Sequence, residues 1–175
     1  MAGTGIVLSI KVDFSPEELN QEFGDELRNN IEPRLETAMA AVAAAAKASL
    51  KSHIQSDVYD KWNPTTYLRT GSIISDGAIE TTATRYRMSL EYEPDGSSSQ
   101  WEHPVSGNAL VGRIESGSGY EWGKHPGPRR FWQSFVDEMI SSGMAAAFDN
   151  AMSAELGDIY EGGTVVSRDS ADGEY

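Results

Sequence analysis

The stretch that decides the fold is residues 112–135, which read GRIESGSGYEWGKHPGPRRFWQSF. Glycine and proline are interspersed here with large aromatic residues, so the backbone must turn tightly while several rings are held in place. Glycine accepts positive φ, and proline is favoured in the first turn of a helix. The stretch therefore predicts a structured loop that ends at Pro128 and leads into a helix from Arg129 onward. A packed aromatic corner with no role beyond the fold explains the same residues equally well.

The helix that follows this loop is marked by an apolar stripe. Its members are Phe131, Trp132, Phe135, Met139, Gly143, Phe148, Met152 and Leu156. We expect the helix to end near Gly157, because glycine commonly terminates helices. Residues 161–175 are rich in glycine, aspartate and glutamate, which predicts a flexible acidic tail. The sequence thus predicts a single domain over residues 1–160 and a tail over residues 161–175.

Upstream of the loop, two segments alternate between apolar and polar residues. They are residues 6–14 and 86–92, and each predicts a strand with one buried face. Residues 72–82 predict a further strand with a bulge at Gly77, which pairs in antiparallel fashion with the strand at 86–92. Residues 93–107 are rich in turn formers and predict a long projecting loop.

An alanine-rich helix is predicted between the first strand and the others. Residues 15–18, Ser-Pro-Glu-Glu, predict a helix start, and Pro33 is expected to kink this helix or to start a second one. Beyond Pro33, apolar residues recur every three or four positions, at Leu35, Met39, Val42, Ala46, Leu50, Ile54 and Val58. The small side chains of residues 38–48 would let another element of the chain, or another subunit, approach closely.

These elements predict an α+β fold. A small antiparallel sheet, open or barrel-like, is expected to pack against the long alanine-rich helix and the C-terminal helix.

Composition excludes several function classes. The 175 residues include no cysteine, so disulfides, thiolate metal sites and thiol catalysis are excluded. Lys and Arg number 14 against 27 Asp and Glu, and the formal charge of −13 disfavours tight binding to DNA or to anionic membranes. No apolar run reaches the roughly 18 residues of a membrane span. We therefore expect a soluble protein.

Motifs for catalysis or cofactor binding are not evident. The three histidines, His53, His103 and His125, form no metal-ligand spacing with one another or with a clear carboxylate partner. Residues 116–119, Ser-Gly-Ser-Gly, match neither a nucleophile elbow nor a dinucleotide-binding fingerprint. Glu115 and Glu121 form a conceivable acid-base pair, but so many carboxylates produce such pairs by chance. The sequence therefore predicts no catalytic residue, metal or cofactor.

Two patches of sequence carry a resemblance to a known family. The first patch is residues 67–73, which read YLRTGSI. The second consists of two segments, residues 114–117, which read IESG, and residues 126–132, which read PGPRRFW. The first patch is similar to the Thr-Gly turn into a strand in the neck and tail-completion proteins of long-tailed bacteriophages. The other two segments resemble that family's Glu-aromatic-Gly-Thr motif and its Pro-Phe-Leu-Arg-Pro-Ala motif, which leads into the last helix. The likeness extends over roughly residues 33–156.

Some positions depart from the family pattern. Ser116 replaces the aromatic residue, Ser118 stands where threonine is usual, the final Pro-Ala is missing, and the strand at residues 6–14 is additional. These departures leave open whether the chain is a tail terminator, a stopper or a neck ring.

The resemblance implies a virion structural protein without catalysis. It implies a ring, often a hexamer, in the neck or upper tail, assembled from subunits made in the cytoplasm of the bacterial host. The implied partners are sister copies, connector or stopper proteins and the tail tube, with genomic DNA passing through the lumen without specific binding and with no membrane. The expected subunit interface comprises Arg69, Thr70, Gly71, Ser72, Glu115, Gly117, Tyr120, Trp122, Pro126, Pro128, Arg129, Arg130, Phe131 and Trp132.

Alternatives to this function remain open. Arg69, Arg129 and Arg130 suit carboxylates on a neighbouring surface, but equally carboxylates of their own chain. The chain could be a small hydrolase that uses the loop residues Glu115, Glu121 and His125. It could also be a monomeric acidic protein-binding module that imitates nucleic acid and binds a basic partner in a salt-dependent way.

Overall fold

The computed structural model describes residues 4–9, 21–63, 71–94, 107–119 and 126–156. The protein has an α+β fold, as the sequence predicts. Its main elements are β1 (Thr4–Ser9), α1 (Gln21–His53), β2 (Ile79–Thr84), β3 (Arg87–Tyr92), α2 (Gly107–Ser116), α3 (Phe131–Glu138) and α4 (Met144–Leu156). Short π-helical turns follow α1 at Ile54–Tyr59 and α3 at Met139–Gly143.

The long alanine-rich helix is confirmed. Its buried positions follow the predicted spacing and include Leu35, Met39, Val42, Ala46, Leu50, Ile54 and Val58. A second helix does not start at Pro33, because α1 continues through this residue. Pro33 is exposed, and its carbonyl accepts a hydrogen bond from the Thr37 hydroxyl at 3.2 Å. The buried stripe on the C-terminal side of Pro33 stabilises the helix against the lost backbone hydrogen bond. The predicted start near residue 16 lies outside the described residues.

Three strands form a sheet in the order β1-β3-β2. A two-residue turn, Arg85-Tyr86, joins β2 to β3, so these strands are antiparallel, as predicted. The alternation of β3 is confirmed by its buried residues, Met88, Leu90 and Tyr92. Tyr86 departs from the alternation, since it lies in the turn and is 48% exposed. Among the described strands β1 and β2 are the two edges, so the described part of the sheet is open.

The segment before β2 is not the bulged strand that the sequence suggests. Ser72–Ile74 and Asp76–Ala78 form two 3₁₀ turns instead. The Ser75 N–H donates to the Ser72 carbonyl at 3.3 Å, and the Ser75 hydroxyl donates to the same carbonyl at 2.8 Å. Serine and aspartate favour such local hydrogen bonds, which compete with the hydrogen bonds of a sheet. The strand therefore begins only at Ile79.

The buried face of the C-terminal helices departs from the predicted apolar stripe at one position. A four-residue step from Met139 predicts Gly143 on the buried face, but Met144 is buried instead. The π-helical turn between α3 and α4 accounts for this, because a π-turn accommodates one additional residue. Phe148 and Met152 then continue the stripe at four-residue spacing and are both buried.

The chain divides into two compact units. The first comprises residues 1–5, 47–80 and 90–139. Its core includes Leu50, Ile54, Val58, Ile79, Leu90, Tyr92, Val111, Ile114, Phe131, Phe135 and Met139. Lys47 and Lys51 of α1 both pair with the Asp76 carboxylate, at 2.9 and 2.8 Å. These pairs connect the end of α1 to the second 3₁₀ turn.

The second unit comprises residues 6–46, 81–89 and 140–175. Its core includes Leu35, Ala38, Met39, Val42, Ala43, Ala46, Met88, Met144, Phe148 and Met152. Arg85, in the turn of the hairpin, pairs with Glu32 of α1. The single domain expected over residues 1–160 stays a prediction.

Candidate subunit interface

Most of the described residues of the predicted interface lie at the corner between α2 and α3. Gly117 follows the last residue of α2 and has a φ of 63°, in the left-handed region. Its N–H donates to the carbonyl of Arg113 at 2.9 Å, which closes the last turn of the helix. Glycine is favoured at such a helix end because other residues are strained at positive φ.

The returning chain passes directly against Gly117. A Cβ atom on Gly117 would lie 2.4 Å from the backbone nitrogen of Pro128 and 2.5 Å from the carbonyl carbon of Gly127. The N–H of Arg129 then donates to the carbonyl of Ile114 at 3.1 Å. The end of α2 and the approach to α3 are therefore in backbone contact, and only a residue without a side chain fits between them.

Glu115 caps the N-terminus of α3. Its Oε1 accepts a hydrogen bond from the backbone N–H of Trp132 at 2.7 Å, while Arg130, which precedes the helix, makes no capping bond with its side chain. The first N–H groups of a helix lack intrahelical acceptors, and a carboxylate there also interacts favourably with the helix dipole. The side chain considered above as a catalytic acid thus stabilises the start of α3. The sequence predicts that this helix begins at Arg129, but α3 begins at Phe131.

Opposing effects act on the pKa of Glu115. Burial raises this pKa, while hydrogen bonds from the backbone of Trp132 and Gln133 and the charge of Arg130 lower it. Burial is the largest effect, and the net result is a raised pKa. Because the folded-state pKa lies above the unfolded one, the contribution of Glu115 to stability is complete below the unfolded pKa. It is lost as the pH rises through the folded pKa.

We expect Glu115→Gln to alter the pH dependence of stability. Glutamine keeps an acceptor for the Trp132 N–H but does not ionise, so the variant should gain stability relative to the wild type in the pH range from the unfolded pKa of about 4.5 upward. Urea unfolding across this range measures the difference. A difference in unfolding free energy that does not change with pH would contradict the expectation.

Asp76→Asn is a control for which the pH dependence of stability should have the opposite sign. Hydrogen bonds from Lys51 and Lys47 lower the pKa of Asp76 to about 2. The contribution of this carboxylate is therefore present above its unfolded pKa and is lost as the pH falls toward about 2. Between about pH 4 and pH 2 the wild type should lose stability relative to Asp76→Asn.

Aromatic rings pack together at the corner. Tyr92 of β3 stacks on Trp132 with the ring centroids 5.7 Å apart, and it meets Phe131 edge to face at 6.0 Å. Trp132 lies 5.5 Å from Phe135. The Tyr92 hydroxyl donates to the carbonyl of Ile73 at 3.0 Å, and burial raises the pKa of this phenol well above its ordinary value. Tyr92 thus stays neutral and connects the rings to the first 3₁₀ turn.

The predicted interface residues occupy different environments. Four are buried, namely Gly117, Pro126, Arg129 and Phe131, and four are partly exposed, namely Gly71, Ser72, Glu115 and Trp132. Pro128 and Arg130 are exposed. Arg69, Thr70, Tyr120 and Trp122 lie outside the described residues, as do Glu121 and His125 of the hydrolase alternative. Of the predicted interface residues that the structure describes, Pro128 and Arg130 are therefore the best placed to meet a partner.

His53 has carboxylate partners that the sequence analysis missed. Its Nε2 lies 2.7 Å from Oε2 of Glu138, and its Nδ1 lies 3.5 Å from Oδ2 of Asp57. The Ser49 hydroxyl also donates to Glu138, at 3.0 Å. Asp57 follows His53 by four residues, a helical spacing that could have identified this pair, whereas Glu138 is remote in sequence. Within the described ranges, no cluster of histidine and acidic residues has the arrangement of a metal site.

One face of α1 exposes small side chains. The residues lie three or four positions apart, and they are Thr37, Ala40, Ala44, Ala48 and Ser52. We call them the small-residue stripe. Since the distance between packed helices depends on the side chains at their contact, another helix could approach this face closely.

A family model described as YomN matches residues 18–155, well over half of the chain. The match extends over β2, β3 and the described helices, up to the penultimate residue of α4. The family takes its name from a gene of a Bacillus phage or prophage. No curated protein and no solved structure matches the chain. In the part of the chain that the structure describes, no helix has the length and hydropathy of a transmembrane span.

Proposed function

Since the chain belongs to the YomN family, and is in that sense a phage-related protein, we propose that it is a structural subunit of the phage particle. Its copies form a ring, of six subunits, at the head-to-tail junction or the tail end, where the ring joins the connector to the tail tube. The match to the family supports the assignment of the protein to a phage. The resemblance of residues 67–73 and 114–132 to neck and tail-completion proteins supports the position in the particle.

A closed ring needs two different patches on each subunit, one contacting the preceding copy and one the following copy. The small-residue stripe of α1 is the first patch in this proposal. The second is the exposed part of the α2–α3 corner, Pro128 and Arg130. Glu36 is exposed one helical turn before Ala40, so it provides a carboxylate for Arg130 of the next copy.

The charge of the protein agrees with a DNA channel that does not retain DNA. The formal charge of −13 repels phosphates over most of the surface. In the proposed ring, DNA passes through the lumen without specific binding, and the stable partners are connector, stopper and tail-tube proteins.

We expect Ala44→Arg to prevent ring assembly while leaving the subunit folded. The long, charged side chain would hold the neighbouring surface away from the small-residue stripe and would repel Arg130 of that copy. Ala44 is exposed on α1, and arginine is a strong helix former, so the unfolding free energy should change by less than about 0.5 kcal/mol. Size-exclusion chromatography with light scattering should show a ring for the wild type and monomers for the variant.

Ala146→Arg is the matched control, because it makes the same change at an exposed alanine of α4. Its ring mass should equal that of the wild type. A wild-type protein that stays monomeric and is absent from purified phage particles would refute the proposed function. A ring that survives Ala44→Arg would reject only the small-residue stripe as a contact.

A further inference from the structure

The tip of the β2–β3 hairpin is a cationic surface on an acidic protein. We define the hairpin tip as residues 82–87, all of which are exposed. It contains Arg85 and Arg87, and between them Tyr86 has 48% of its surface exposed. Such a concentration of arginine stands out in a chain with 14 basic and 27 acidic residues.

The fold neutralises this positive charge only in part. Glu32 of α1 accepts a hydrogen bond from Arg85 and lies 3.9 Å from the guanidinium of Arg28. The hydroxyl of Tyr86 is 3.5 Å from the same carboxylate. Arg87 is exposed and forms no ion pair with any described residue. Arg85 is therefore paired with a carboxylate of its own chain, whereas Arg87 stays available at the tip.

Strand β2 adds a backbone edge beside this charge, and no described strand pairs with that edge. It is an edge of the β1-β3-β2 sheet, and the side chains of residues 82–84 are exposed whichever face they lie on. Its last residues, Thr-Thr-Ala-Thr, have the β-branched character of a strand and contain no proline or lysine of the kind that protects natural edge strands. An extended segment that pairs with this edge would run beside the arginines.

The chain contains a segment that matches both features. Residues 164–167, Thr-Val-Val-Ser, have high β propensity. Within residues 157–175 they are flanked by acidic side chains, namely Asp158, Glu161, Asp169, Asp172 and Glu174, while Arg168 is the one basic residue of that segment. Backbone propensity and charge are both complementary to the hairpin.

We propose that residues 157–175 of one copy dock on the hairpin of the neighbouring copy, with residues 164–167 added as a strand along β2. The inference rests on the proposed ring, in which every copy has one hairpin to offer and one C-terminal segment to donate, so the exchange repeats until the ring closes. A parallel arrangement places Asp169 and Asp172 beyond the end of β2, beside Arg85 and Arg87. DNA fits this surface less well, because the few arginines can neutralise only a few phosphates and the total charge of −13 repels the others.

Disulfide trapping tests the proposal on the full chain. The natural sequence has no cysteine, so introduced cysteines report only on their own positions. One batch carries Ala83→Cys, at an exposed position of β2, and a second carries Val166→Cys. After mixing and mild oxidation, we expect a cross-linked heterodimer on non-reducing gels, identified by mass spectrometry. With Ala146→Cys of α4 in place of Ala83→Cys, the heterodimer should fall to background.

Charge variants test the electrostatic part. Adding Arg87→Glu to the Ala83→Cys batch should lower the initial rate of heterodimer formation about threefold to tenfold, because attraction to the acidic segment becomes repulsion. Arg87→Lys should largely keep the wild-type rate. Arg87 forms no ion pair with the described residues, so neither change breaks a contact of that kind within the subunit.

Three results would overturn the inference. The first is heterodimer formation that is equally fast with Ala146→Cys. The second is a doubly substituted chain, Ala83→Cys with Val166→Cys, that forms only intramolecular disulfides at every concentration. The third is a labelled DNA duplex that binds the wild type and is released by Arg87→Glu. A wild-type ring without the cross-link would reject this inference and leave the proposed function intact, whereas a monomeric wild type would reject both.

Discussion

Gly117→Ala is expected to lower the unfolding free energy by more than about 3 kcal/mol. The added Cβ would lie 2.4 Å from the nitrogen of Pro128 and 2.5 Å from the carbonyl carbon of Gly127, well inside van der Waals contact. Both are backbone atoms, so relief requires the chain before α3 to move. That movement would also disturb the hydrogen bond from the Trp132 N–H to Glu115. The positive φ of 63° adds a further cost of about 1 kcal/mol for any residue with a side chain.

Two other glycines of the same segment separate these effects. Gly119 also has positive φ, 77°, but its nearest neighbours are flexible side-chain atoms of Arg113 at 3.5 Å or more, so Gly119→Ala should cost about 1 kcal/mol. Gly112 lies within α2 with no atom within 4 Å of an added Cβ, so Gly112→Ala should stabilise the protein by about 0.5–1 kcal/mol. Urea unfolding followed by tryptophan fluorescence measures all three. If Gly117→Ala costs no more than Gly119→Ala, the close approach of Pro128 is wrong.

Periodic patterns predicted the regular elements well. The stripe from Leu35 to Leu50 is buried at the expected positions because α1 repeats every 3.6 residues, and Ile54 and Val58 continue it through the π-helical turn. The alternation of β3 was equally clear, and it failed at Tyr86 because this residue lies in the turn before the strand. These signals are local, so the sequence alone contains them.

The wrong predictions concern features that interrupt a regular helix or strand, or that depend on contacts between residues distant in sequence. The π-turn after Met139 moves the stripe from Gly143 to Met144, and nothing in the residue types marks this insertion. The 3₁₀ turns replace a strand because Ser75 bonds locally with Ser72. Glu138 approaches His53 only after the fold brings α3 against the end of α1.

Residues 112–135 show both what can be predicted from the sequence and what cannot. The predicted loop is shorter than the stretch, because residues 112–116 form the end of α2. Its glycines and prolines indicated a tight turn, but not that Gly117 would face Pro128 or that Glu115 would cap α3. The resemblance to neck proteins agrees with the family at the level of a phage-related protein. Position within the particle stays a proposal, since the motifs that suggested it are short.

Phe131 illustrates why interface and core are hard to tell apart from sequence. An aromatic residue beside two arginines suits a binding surface, yet an apolar side chain suits a core equally well. In the structure Phe131 is fully buried at 0% exposure and packs edge to face against Tyr92. Whatever contacts the corner makes with other copies, Phe131 contributes by supporting the fold beneath them.

Phe131→Ala is accordingly expected to lower the unfolding free energy of the subunit by about 3–5 kcal/mol. The change removes a large buried side chain and leaves a cavity next to Tyr92. Urea unfolding of the isolated subunit, carried out with Ala44→Arg present to keep it monomeric, measures this cost without a contribution from assembly.

Arg130→Ala, one residue earlier, is the matched comparison. Arg130 is exposed, so in the same monomeric background its loss should change the unfolding free energy by no more than about 0.5 kcal/mol. In the otherwise wild-type chain it should weaken ring assembly, because it removes the partner proposed for Glu36 of the adjacent copy. If Phe131→Ala leaves the monomer as stable as Arg130→Ala does, Phe131 is not a core residue, and the aromatic side of the corner becomes available as an interface.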